Sequence, residues 1–91
     1  MKFLRSFNKS FLGAVNYYAA IDKNLARRFI DAVDRAQKEI ERFPKIGRAI
    51  KNYRVVLLTT FPYSFCYDED LEGEPVALVL FHHKQKEPRI G

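Results

Sequence analysis

Apolar residues at Phe7, Phe11, Ala14, Val15 and Tyr18 recur at spacings of three and four, the period that gathers side chains on one helix face. Ser6 or Asn8 stands where a side-chain cap would start this helix. The run "IDKN" breaks the period, and Asn24 is placed to cap a second helix. There Leu25, Phe29, Ala32, Val33, Ala36, Ile40 and Phe43 form one stripe, while Arg27, Arg28, Asp31, Asp34, Arg35, Lys38, Glu41 and Arg42 fall largely elsewhere. "FPKIG" ends it, because Pro44 lacks the amide proton to continue the ladder and Gly47 supplies a turn. So short a connection between two helices predicts an antiparallel hairpin.

Strand patterns flank the helices. "MKFLR" suits an edge or terminal strand, and "YRVVLLTT" (Tyr53 to Thr60) is rich in branched apolar residues. Beyond Pro62, Tyr63, Phe65 and Tyr67 alternate with Ser64, Cys66 and Asp68, the period of a half-buried strand. A proline between Phe61 and Tyr63 has no place in a central ladder, so it marks a tight turn whose flanking aromatics anchor the corner into the core. "DEDLEGEP" is a turn broken by Gly73 and Pro75, and "VALVLFHH" (Val76 to His83) is apolar on both faces, as in a central strand. The predicted order is β-α-α-β-β-β, an α+β domain with a helical hairpin laid on a small, mostly antiparallel sheet.

Ninety-one residues predict a single domain spanning 1–91 with a thin core, since a chain this short buries only about 60–65% of its unfolded surface. Eight Phe and five Tyr are many rings to hide in it. The formal charge is +5, yet Asp68, Glu69, Asp70, Glu72 and Glu74 fall within seven residues, leaving +10 on the rest. A basic body with one acidic tip favours anionic partners, although ordinary solubility explains the same charge. The lone Cys66 excludes an intrachain disulfide and fits a reducing compartment. No apolar run approaches the roughly 18–20 residues of a membrane span, and "MKFLRSFNKSF" lacks a secretory core, so a cytoplasmic protein is expected.

Candidate chemistry is sparse. His82 and His83 are neighbours on a strand and point to opposite faces, so no shared metal ion is expected; His83 reads instead as part of a basic rim with Lys84, Lys86 and Arg89. Lys45, Arg48, Lys51 and Arg54 follow one another with no acid between them, an anion-facing edge or a solvated loop. The acidic turn lacks the spacing of a calcium loop, Cys66 has no activating context, and Tyr17 and Tyr18 suit the core or rim of the hairpin.

Taken together, "YY" (Tyr17, Tyr18), "LARRF", "FPKIG", "YRVVLL" with Arg54, "FPYSFCY" and "HHKQKEP" with His83, Lys86 and Pro88 resemble the RelE/ParE superfamily, the toxins of bacterial type II toxin–antitoxin systems. The resemblance covers nearly the whole chain and implies one of two activities. RelE-like members cut mRNA on the ribosome, which needs cations on the crowded phosphate and groups that move protons. ParE-like members bind and poison DNA gyrase. The positions of the RelE-like charges fall here on Ser64, Gln85 and among Val55 and Leu57, and the late aromatic falls on Gly91. The "FPY" turn and the tail lie closer to the ParE side. The resemblance therefore implies a toxin without catalytic residues, metal or cofactor, neutralised by an antitoxin whose acidic C-terminal segment meets Arg48, Lys51 and Arg54. Its target, gyrase in the first instance, would meet an exposed surface of Phe61, Tyr63, His83, Lys84, Lys86 and Arg89, not a pocket. It would touch nucleic acid only indirectly. A RelE-like ribonuclease and an inactive binding module are the alternatives.

Overall fold

The computed structural model describes residues 1–84. Strand β1 (Lys2–Phe3) leads into helix α1 (Arg5–Ile21) and helix α2 (Lys23–Arg42), followed by β2 (Arg48–Ile50), β3 (Tyr53–Leu57), β4 (Tyr63–Glu69) and β5 (Pro75–His82). The strands form one sheet ordered β1-β5-β4-β3-β2, antiparallel except for the β1–β5 pair. The predicted order stands, with β2 added as a short edge strand. That strand lies within the basic run, where its charges mask any alternation.

A single residue, Asp22, joins the helices. Its amide donates to Tyr18 O at 2.8 Å as the end of α1, and its carboxylate accepts from the Asn24 amide at 2.9 Å as the cap of α2. Asp22 rather than Asn24 is thus the cap, and α1 starts at Leu4 without a side-chain cap. Ser6, free of that role, donates to Leu78 O at 2.6 Å.

Phe29, fully buried on α2, is the centre of the core, with Phe11, Tyr18, Phe61 and Tyr63 at 5.1–6.4 Å between ring centroids. Edge-to-face pairs such as Phe29–Phe61 add about 0.5–1.5 kcal/mol beyond the area they bury. The helical stripe is as predicted except at its end, where Phe43 lies past the last turn and stays exposed.

A smaller apolar cluster of Tyr53, Cys66 and Leu78, with Val55, Val79 and Phe81 beside it, contains strand residues alone and occupies the other face of the sheet. A bulge puts the successive residues Leu78 and Val79 on this same face. Cys66 pairs with Val79 but Tyr67 pairs with Ala77, so Leu78 is an extra residue on β5. Its carbonyl would lack a ladder partner, and the Ser6 hydroxyl supplies one.

Candidate functional site

The basic edge and the aromatic corner sit at opposite ends of β4, because Tyr63 begins that strand and Glu69 ends it. At the basic end, β2 and β3 form a tight hairpin through Lys51, whose φ of 55° is in the left-handed region. Arg48 and Lys51 are exposed there. Arg54 is drawn inward: its guanidinium donates to Gly47 O at 2.8 Å and Lys45 O at 3.3 Å, and lies 4.0 Å from Glu69. Lys45 pairs with Glu69 at 3.2 Å. The expected cationic edge is therefore reduced to Arg48 and Lys51, beside a shallow cleft of about 280 Å3 whose rim includes Asp68 and Glu69 as well as Lys45.

A buried phenol fixes this end. The Tyr67 hydroxyl donates to Pro44 O at 2.7 Å and accepts from the Gly47 amide at 2.9 Å. Burial pushes the phenol's pKa up, so it keeps its proton as a donor. Gly47 is required by the close approach, since a Cβ there would lie 2.7 Å from the Tyr67 hydroxyl oxygen. The two interactions clamp the exit of α2 to the sheet and so aim β2.

At the aromatic end, Leu58 donates to Tyr63 O and Tyr63 donates to Phe61 O, closing the turn around Pro62. Thr60 takes a φ of 65° to permit it. Pro62 is exposed and its carbonyl accepts from the His83 amide at 2.9 Å, which ties the end of β5 to the corner. Phe61 is buried, so it anchors the corner as expected and offers no exposed surface to a partner. Tyr63 is half-buried, with His82 edge-on at 4.9 Å. His83 and Lys84 are exposed, whereas Lys86 and Arg89 lie outside the described residues, as do Gln85, Pro88 and Gly91.

The histidines separate as their strand positions predict. His82 packs on Tyr63, and its Nδ1 accepts from the Lys84 amide at 3.0 Å; His83 Nε2 lies 3.1 Å from the hydroxyl of buried Ser64. Among the described residues, no group of three or more His, Cys, Asp or Glu side chains is arranged to hold a metal ion. Val55, Leu57 and Ser64 lie on the sheet face away from the helices and bring no charge to it. Cys66 is buried beside them, and burial pushes its thiol up to about 11.

One feature was not anticipated from the sequence. Ser10, Gly13, Ala14 and Tyr17 of α1 face Tyr63, Leu80 and His82 across a cleft of about 340 Å3. Its signal in the sequence is a glycine in mid-helix one turn before an exposed tyrosine, a pattern that gains meaning only once α1 is laid against β5.

Neither a protein-family model nor a curated protein matches the sequence. Among solved structures, a chain described as "Chromosomal ParDE TA system from P. aeruginosa" has the same architecture, with a TM-score of 0.75, 14% sequence identity, and coverage of 89% of this chain and 91% of that one. At that identity the match is a likeness of fold. The chain therefore has the RelE/ParE fold, the fold of a chain from a ParDE toxin–antitoxin system.

Proposed function

We propose that this protein is the toxin of a type II toxin–antitoxin pair, acting in the cytoplasm by binding a macromolecular target and neutralised by a cognate antitoxin. The observation that carries the reading is the near-complete overlap of fold with a chain of a ParDE system. Binding is favoured over RNA cleavage because Val55, Leu57 and Ser64 supply none of the cations that a crowded phosphate requires. The antitoxin's acidic segment would meet Arg48 and Lys51, with Arg54 acting through the loop it braces. The target surface would combine Tyr63, His83 and Lys84 with Lys86 and Arg89 of the tail, the buried Phe61 holding the corner rigid. Fixed aromatics together with basic side chains suit a large acidic protein, the rings anchoring at little entropic cost while charge speeds encounter. DNA gyrase is the first target to test.

Induced expression in a bacterial host, with and without the product of a neighbouring gene for a small acidic protein, tests the reading. Growth arrest relieved by that product is expected, with loss of supercoiling by purified gyrase naming the target. A combined Lys84→Ala, Lys86→Ala variant should lose toxicity while keeping its melting temperature and antitoxin affinity. Cuts in translated mRNA at the ribosomal A site, read by primer extension, would replace this reading with the ribonuclease one. Unaffected growth together with tight antitoxin binding would leave an inactive binding module.

A further inference from the structure

We infer that the cleft between α1 and the ends of β4 and β5 receives one aromatic side chain carried on an acidic segment of the target protein, an inference that rests on the target-binding reading above. Helix α1 runs along the outer edge of β5 and seals it for two turns: Ser6 donates to Leu78 O at 2.6 Å, and Ser10 accepts from the Leu80 amide at 3.0 Å. On the next turn the helix offers only Gly13 and Ala14, and a gap opens that extends to Tyr17.

Gly13 has no structural reason to be glycine. A Cβ there would meet no atom within 4 Å, and its backbone is not in the left-handed region. Glycine within a helix is unfavourable relative to alanine. What it does here is leave the cleft clear. The walls are the rings of Tyr17, Tyr63 and His82, and the floor is Ala14 and Leu80. Tyr17 is 62% exposed, so its ring is available to a partner.

The lining selects the occupant. Among the described residues no Lys, Arg, Asp or Glu lines the cleft, and its Ser10 hydroxyl and His82 Nδ1 already hold hydrogen bonds. A flat apolar ring finds aromatic walls on which to pack. Charge selects the flanks. Helix α1 carries Arg5 and Lys9 and no acid, and Lys84 stands exposed just past His82. A segment with an aromatic anchor between carboxylates matches both features.

The chain has no tryptophan, so the emission of a tryptophan peptide reports its own binding. The probe is a capped pentapeptide with tryptophan between acidic residues, titrated into the full chain by fluorescence and by amide NMR. Saturable blue-shifted emission is expected, with shifts at Gly13, Tyr17 and His82. Gly13→Leu should weaken binding at least tenfold with the melting temperature unchanged or raised, and Tyr17→Ala should weaken it too. Absence of saturation, binding indifferent to Gly13→Leu, or shifts at these amides with adenosine monophosphate but not with the peptide would each overturn the inference. In the growth assay Gly13→Leu should abolish toxicity; a Gly13→Leu chain as toxic as wild type would also overturn it. A wild-type chain that does not arrest growth would instead overturn the toxin reading, and the titration would decide the cleft by itself.

Discussion

Replacing Tyr67 by phenylalanine tests whether one hydroxyl holds the basic end of the molecule in place. The ring is fully buried and would keep its packing, so the change removes two hydrogen bonds and nothing else. The Gly47 amide, buried, would lose its partner; a buried donor left unpaired costs about 1–3 kcal/mol. Pro44 O is partly exposed and can turn to water, so its loss adds less. A total of about 2 kcal/mol follows, and in a domain of this size each kcal/mol moves the melting temperature by about 4–8 °C. Thermal and urea unfolding followed by circular dichroism should therefore show a fall of about 8–16 °C with an unchanged urea slope. Gly47→Ala provides the control, because its Cβ would lie 2.7 Å from the Tyr67 hydroxyl oxygen and 2.8 Å from Cε1. Deleting the hydroxyl relieves only the first contact, so the double variant should be more stable than the two single losses predict. A Tyr67→Phe protein within about 0.5 kcal/mol of wild type, or a cycle additive to within about 0.5 kcal/mol, would refute the reasoning.

Gly13→Ala should raise stability by about 1 kcal/mol, since the new methyl meets no atom and helix propensity improves; a lower melting temperature would show that the turn depends on glycine. Asp70 has its pKa lowered, first by the hydrogen bond from Lys2 and then by the Glu74 amide. The stabilisation from this exposed carboxylate is fully present above its ordinary value of 3.8 and is lost as pH falls through the lower folded value. An NMR titration should place the Asp70 midpoint below 3.8, and Lys2→Ala should move it upward; an unmoved midpoint would remove Lys2 as the main cause. Cys66, buried and with its thiol raised to about 11, should resist Ellman's reagent in the native state and react once urea unfolds the chain. Complete reaction in native buffer within the mixing time would contradict its burial.

Periodicity was enough to find the helices, their junction and the order of the elements along the chain apart from β2, because an amphipathic stripe is a local pattern that folding only has to bury. Phe29 and Ile40 lie at 0% exposure within the stripe read from spacing alone, and Phe61 and Tyr63 pack at the corner that Pro62 announced. Other features required chain segments far apart in sequence to meet. Ser6 and Ser10 look like cap or surface residues until they bond β5 some 70 positions away. Arg54 counted as a free cation in the sequence, yet Gly47 O and Lys45 O claim it once α2 has turned back onto the sheet. Tyr67 showed only as an inward strand residue, and its role comes from the loop that folds over its hydroxyl. The cleft is the clearest case, since Gly13 and Tyr17 acquire facing walls only when β4 and β5 bring Tyr63 and His82 beside α1. Local period decides which residues are buried; the crossing of distant segments decides which polar groups are consumed and which surfaces stay open.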